Sequence, residues 1–244
     1  MSLALFLVEA GTLPASGPYE LTGDEGRHAA KVRRLRAGEH LELSDGAGVV
    51  AECVVAEVGA GLTVEIRTVR TVPAPSPRLV VAQALPKGDR GELAVELMTE
   101  IGVDAIVPWA AEHCVTVWSG EKAHRAAQRW NVHAREAAKQ ARRPWVPVIE
   151  PLADTKTLAA RVADAELAVV LHESATEALT AVSLPATGEV LLVVGPEGGI
   201  SAEELTVFQD AGARVCRLGP EVLRTSTAGL AALAALLPRT SRWT

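Results

Sequence analysis

Residues 191 to 205 read LLVVGPEGGISAEEL, an apolar strand that runs into three glycines and a carboxylate before a helix begins. Gly195, Gly198 and Gly199 let the backbone approach a ligand closely or take dihedrals closed to other residues. Ser201 and Glu204 stand at capping-box spacing and start the helix. A strand, a glycine turn and a helix amino terminus together suit a small molecule. The spacing is neither G-x-G-x-x-G nor a P-loop, because no Gly-Lys-Ser/Thr follows, and Glu197 would repel a phosphate. A ligand with hydroxyls or positive charge fits better than a polyphosphate. The same residues would also serve as a tight strand-to-helix turn with an acid near the helix dipole.

A second loop of this kind lies in RVCRLGPEVLRTSTAGLAALAALL. Strand 214 to 218 ends at Gly219, an irregular stretch carries Arg224, and Thr225 or Ser226 can cap a helix that is apolar almost all round. A guanidinium held beside such a loop orients an anion or a polar base edge, or else bonds loop carbonyls. A third strand, LAVVLHES, leaves His172 and Glu173 at its carboxyl end, where open α/β sheets collect ligands.

These loops need a layered scaffold, and the chain has the length for one good core or two small ones: 244 residues, 48% hydrophobic. After the prolines of TVPAPSPR (71 to 78), short apolar runs at RLVVAQALPK, DAIVPW, AELAVVLHE, EVLLVVG and ARVCRLG alternate with helices, the pattern of an α/β domain with a mainly parallel sheet. In DRGELAVELMTEIG the spacing predicts a helix with Leu93, Leu97, Met98 and Ile101 on one face, a capping box at Asp89 and Glu92, and a stop at Gly102. Before the prolines, EHLELSDGAGVVAECVVAEV and GLTVEIRTV alternate apolar with polar residues and predict a small antiparallel β unit. One helix falls within it, at GDEGRHAAKVRRLR. The domain boundary is set at 72/73.

The net charge of -6 and 3% aromatic content do not by themselves suggest nucleic acid. The charge is uneven, however. RHAAKVRRLR (27 to 36) carries five formal positives and no acid, and HRAAQRWNVHAREAAKQARR (124 to 143) six against one glutamate. A helical wheel packs Ala123, Ala127, Trp130, Ala134, Ala137 and Ala141, and turns Arg125, Arg129, Lys139, Arg142 and Arg143 outward. Two such faces could follow a phosphate backbone. Cys53, Cys114 and Cys216 lack C-x-x-C spacing, so no metal site is expected, and they read as buried thiols of a reducing cytoplasm. No stretch suggests a signal peptide or a membrane span, and a soluble cytoplasmic protein is expected.

LLVVGPEGGISAEEL and LGPEVLRTSTAGLAAL closely resemble the two carboxy-terminal motifs of the RsmE-type methyltransferases of the SPOUT superfamily. ALPKGDRGELAVELMTEIGVDAIVPW and RWNVHAREAAKQARRPWVP are similar to upstream segments of that family, and GDEGRHAAKVRRLRAGEHLELSDGAG to its amino-terminal domain. The resemblance implies a PUA-like RNA-binding β-barrel over residues 1 to 72 and a trefoil-knotted SPOUT α/β methyltransferase domain over 73 to 244, working as a homodimer. It implies transfer of a methyl group from S-adenosylmethionine to N3 of a uridine (uridine 1498 in standard rRNA numbering) in 16S rRNA, free or in the small ribosomal subunit. The cofactor would be held by Leu171, His172 and Glu173, by Gly195, Pro196, Glu197, Gly198, Gly199 and Ile200, and by Leu218, Gly219, Val222, Leu223, Thr225 and Ser226. Arg224 would orient the uracil, with Glu197 or His172 as proton acceptor. The RNA would lie on Arg27, Lys31, Arg33, Arg34, Arg36, Arg125, Arg129, Arg142 and Arg143. Two positions depart from the family: many relatives carry an acid at Ser226 and an arginine at His113. A non-catalytic rRNA-binding assembly factor on the same scaffold is the alternative that the first departure raises. A nucleotide-dependent enzyme on a Rossmann-like sheet is disfavoured by the missing glycine fingerprint.

Overall fold

The computed structural model describes residues 3–243. Two compact units divide the chain: Met1–Ala74 with Ala138–Val146, and Pro75–Ala137 with Pro147–Thr244. The short segment 138–146 thus belongs with the first unit although it lies beyond the proline stretch.

In the first unit β1 (Ala4–Leu7), β2 (Gly17–Leu21), β3 (His40–Ser44), β4 (Val49–Val58) and β5 (Leu62–Thr71) form one sheet in the order β1-β3-β4-β5-β2. All pairs are antiparallel except β1 with β3. The alternation read from the sequence places Leu41, Leu43, Cys53, Val55, Val64 and Ile66 in a shared core with Phe6. SDGAG makes the β3–β4 turn, where Asp45 Oδ1 accepts from the amides of Ala47 (2.8 Å) and Val49 (3.0 Å). Helix α1 (Gly23–Arg27) continues as a π-helical turn over His28–Val32. Lys139 does not face outward as the wheel suggests. It is buried, and its Nζ donates to Glu25 Oε1 at 2.8 Å. Ala141 is exposed instead of packed. The helix is ending there, and the wheel's angles cease to apply.

The second unit is a seven-stranded sheet of β6 (Arg78–Ala84), β7 (Ala105–Trp109), β8 (Val148–Ile149), β9 (Leu167–Leu171), β10 (Glu177–Ala178), β11 (Glu189–Val194) and β12 (Arg214–Arg217). Its order is β10-β12-β9-β11-β6-β7-β8, with every neighbouring pair parallel. Both faces are covered, which explains the unbroken apolar runs. Leu79, Val81, Leu192 and Val194 face a core shared with α2 (Arg90–Ile101) and α6 (Thr225–Leu236). Val80, Ala82, Leu191 and Val193 face the opposite core, with Leu158 of α4 (Thr155–Asp164) and Phe208 of α5 (Ala202–Asp210). The long helix α3 (Gly120–Gln140) contributes Trp130 and Ala134 to the first of these cores.

Two local expectations change here. The buried face of α2 carries Gly91, Ala94, Val95, Met98 and Thr99, while Leu93 is exposed. Close approach of neighbours turns the helix: a Cβ at Gly91 would lie 2.9 Å from the Trp130 ring, and one at Gly229 of α6 would lie 2.5 Å from Met98 Sδ. The capping box does not form: the Asp89 side chain makes no cap bond, and the Glu92 carboxylate accepts from Arg129 Nε at 3.0 Å. Gly102, at φ 120°, does end α2.

Cys53 and Cys216 are fully buried, and burial pushes their thiols up to about 12 and about 11 from an ordinary value of 9.0. Burial also raises Cys114. Raised values mean the folded chain holds these groups protonated. Their contribution to stability is therefore complete below pH 9.0 and falls as the pH rises past it, where unfolded thiols ionise and folded ones do not. In a thiol-disulfide exchange assay at pH 8 we expect Cys53 and Cys216 to stay unmodified in the native protein and all three cysteines to react in denaturant. Rapid native labelling of Cys53 or Cys216 would contradict this.

Candidate functional site

Strands β12, β9 and β11 are adjacent and parallel, so the loops that follow them emerge at one edge of the sheet. They enclose a cavity of about 570 Å³ within the second unit, of a size usual for a small-molecule site. Leu171, His172, Glu173, all of Gly195 to Ile200, Leu218, Gly219, Val222, Leu223, Arg224 and Thr225 line it. Three stretches nominated separately from the sequence therefore form one site. Ser226 does not line it. This residue is buried at 1% in the first turn of α6, and its hydroxyl has no hydrogen-bond partner among the described residues. One residue along a helix rotates the side chain by about 100°, enough to carry Ser226 away from the wall that Thr225 forms.

Most of the glycine loop is shaped by the protein's own packing. A Cβ at Gly195 would lie 2.7 Å from Ile200 Cγ1, and one at Gly198 would lie 2.8 Å from His113 Cβ. Gly199 differs: at φ 77° a Cβ there would meet no described atom within 4 Å, so open space lies against it. The capping box of Ser201 and Glu204 forms as read. Its buried carboxylate also accepts from the Glu112 amide (2.9 Å) and the Thr155 hydroxyl (2.8 Å), which ties the loop after β7 to the starts of α4 and α5. By contrast, α6 is capped neither by Thr225 nor by Ser226. Arg224 occupies the cap position, and its carbonyl accepts from the amides of Thr227 (2.9 Å) and Ala228 (3.0 Å). No side chain caps this helix, and the exposed Arg224 guanidinium makes no ion pair among the described residues.

The two histidines carry their protons on different nitrogens. His113 Nδ1 lies 3.1 and 3.2 Å from the carbonyl oxygens of Gly198 and Gly199. Carbonyls only accept, so Nδ1 bears the hydrogen and pins the loop. His172 Nδ1 accepts from the Ser174 amide at 3.2 Å, so its neutral ring is protonated at Nε2. Glu197 is exposed, and among the described residues its Oε1 accepts only from the Lys87 amide, at 3.3 Å. Glu221, within the expected loop 218 to 226, also lines the cavity, and so do Arg90 and Arg217, which were not foreseen. Arg217 ends β12 and was accessible to the strand-end rule. The position of Arg90 depends on how α2 folds over β6.

Among the basic residues expected to meet RNA, Lys31, Arg33, Arg34, Arg36 and Arg142 are exposed and unpaired among the described residues, and Arg143 is half-buried. Arg27 pairs with Asp24, Arg125 with Glu121 at 3.7 Å, and Arg129 with Glu92 at 3.0 Å. Those three carry less free charge than the sequence suggests. Among the described residues no cluster of His, Cys, Asp and Glu could hold a metal ion, and no helix is long and apolar enough to cross a membrane.

Residues 73–237 match the family model of an RNA methyltransferase domain and residues 21–66 that of an RNA methyltransferase PUA domain. The ribosomal RNA small subunit methyltransferase E of Mycobacterium bovis is 46% identical over 249 aligned positions, covering 100% of this chain and 94% of the relative. The Bacillus subtilis protein of the same name is 32% identical, with 89% of each chain covered. A solved methyltransferase E from Neisseria gonorrhoeae, bound to S-adenosyl methionine, superposes with a TM-score of 0.87 at 25% identity over 100% of both chains. A Legionella pneumophila structure with bound cofactor SAM gives 0.87 at 28% identity, over 98% of this chain and 99% of the other. With a domain model spanning the whole second unit up to the last helix and a full-length relative at this identity, the chain belongs to the ribosomal RNA small subunit methyltransferase E family.

Proposed function

We propose that this chain transfers a methyl group from S-adenosylmethionine to N3 of a uridine in 16S rRNA. The observation that carries the proposal is the cavity built by the three strand-end loops, in a fold whose solved relatives contain that cofactor. The residues fit such a ligand. Gly199 leaves open space at the wall, and Glu197 presents a carboxylate engaged, among the described residues, by one amide alone, which suits a cation and not a phosphate. When bound, S-adenosylmethionine supplies an electrophilic methyl group on a sulfonium.

The chain's own part is to position the acceptor and manage its proton. Uracil N3 lies on the Watson–Crick edge, so the base must be unpaired to reach the cavity. The free Arg224 guanidinium is suited to hold the uracil oxygens and to favour the anion formed when N3 loses its proton. His172 is poorly placed to take that proton, because its basic nitrogen is engaged by Ser174 and the other carries a hydrogen. Glu197 is the remaining acceptor. The proposal also includes rRNA held on the unpaired basic residues of the first unit, a trefoil knot in the second, a homodimer through the half-exposed side of α6, and a cytoplasmic location.

The test is methyl transfer from labelled S-adenosylmethionine to small ribosomal subunits that lack the modification, with nucleoside mass spectrometry of the product. Appearance of 3-methyluridine is expected. Binding of the subunit without transfer of label would favour a non-catalytic assembly factor.

A further inference from the structure

We propose that the first unit holds a backbone phosphate of its RNA in a small cavity, of about 110 Å³, where the two basic stretches of the sequence meet. Arg33 comes from one stretch and Lys139 and Arg142 from the other, and His28, Gln140 and β1 supply the rest of the wall. Among the described residues no carboxylate lines it. Glu25 fixes the Lys139 ammonium at 2.8 Å and offsets one charge. Arg33 and Arg142 are exposed and make no ion pair among the described residues, so two planar guanidinium forks remain for a tetrahedral oxyanion.

The backbone on each side of the cavity is irregular in a way that points to the same use. Arg142 has φ 53° and occupies the position after the helix end where the amides of Arg142 and Arg143 donate to Lys139 (3.1 Å) and Ala138 (2.8 Å). That position normally falls to glycine, which adopts the left-handed conformation without strain. An arginine kept there against its backbone preference suggests a use for its side chain. Opposite it, His28 opens the π-helical turn that ends at Arg33, whose amide donates to the His28 carbonyl at 2.9 Å. Turns of this kind are rare and concentrate at functional sites.

The RNA source of the phosphate rests on the methyltransferase reading; free inorganic phosphate shares its chemistry. The experiment measures binding of transcribed 16S rRNA to the full-length protein across a salt series, for the unmodified chain, Arg33→Ala, Arg142→Asn and the double variant. Asparagine tolerates the left-handed backbone, and both arginines are exposed, so unchanged melting temperatures are expected. Each single variant should weaken binding several-fold. The slope of log K against log salt should fall by about one in the double variant rather than about two, because both side chains serve one phosphate. Unchanged slopes, or additive losses near two, overturn the shared site. Calorimetry with inorganic phosphate at matched ionic strength separates the sources: tight binding lost in the double variant, with RNA slopes unchanged, would overturn the RNA assignment. Failure of the unmodified protein to bind RNA would strike the underlying reading itself. Good RNA binding with indifferent variants would strike only the pocket.

Discussion

Arg224→Ala is expected to lower methyl transfer at saturating substrate by about a hundredfold to a thousandfold, the usual result of removing one charge-stabilising donor from a transition state. The reason lies in how α6 begins. The Arg224 carbonyl accepts the first backbone bonds of the helix, while the side chain, with no ion pair among the described residues, is exposed at the cavity wall. The loss should therefore fall on turnover, with melting temperature unchanged and cofactor affinity, read by calorimetry, nearly so. Arg224→Lys should rescue little, since a point charge cannot reproduce a planar fork set against two carbonyl oxygens. Full turnover by Arg224→Ala would remove this residue from the mechanism. Equal loss of cofactor binding would make it part of the cofactor site instead.

Arg242→Ala should destabilise the second unit by about 3–5 kcal/mol, the cost of leaving a buried charge unpaired. At about 2–4 °C per kcal/mol for a domain of this size, the melting temperature falls by roughly 6–20 °C. Arg242 Nη1 and Nη2 donate to Asp104 Oδ2 (2.6 Å) and Oδ1 (3.1 Å), and also to the carbonyls of Pro77 (3.2 Å) and Gly102 (2.7 Å). Asp104 in turn accepts from the Leu79 amide at 2.8 Å. Both side chains are about nine-tenths buried. One residue thus fastens the end of the chain to the starts of β6 and β7. Scanning calorimetry decides the matter: a fall of about 2 °C or less would mean the pair behaves like a surface ion pair. Removing both charges by Asp104→Asn with Arg242→Met should recover part of the loss, because no lone charge is then left buried.

Much of the scaffold could be read without coordinates, because the features concerned are local. Alternation in the first 70 residues, the apolar runs of the parallel sheet, Gly102 as a helix stop and the Ser201–Glu204 capping box all depend on residues a few positions apart. The three ligand loops could be read as well, since each begins at the carboxyl end of an apolar strand. Their union in one cavity follows from the adjacency of β12, β9 and β11, which no local pattern encodes.

Tertiary structure decided the features governed by distant partners. Periodicity alone assigned Leu93 to the packed face of α2 and Lys139 to solvent. Close packing of Gly91 against Trp130 and of Met98 against Gly229 turned the first outward, and Glu25, 114 positions away, drew the second inward. Gly195 answers to nearby Ile200 and Gly198 to His113, 85 positions before it, so two of the three loop glycines serve the protein's own packing. The meeting of Arg33 with Arg142 and the pairing of Arg242 with Asp104 are equally invisible in the linear chain. The sequence by itself determined which segments become strands, turns and helices, because backbone preference and burial periodicity act over a few residues. Which cation meets which carboxylate, and which glycine is crowded, depended on the order in which those segments pack.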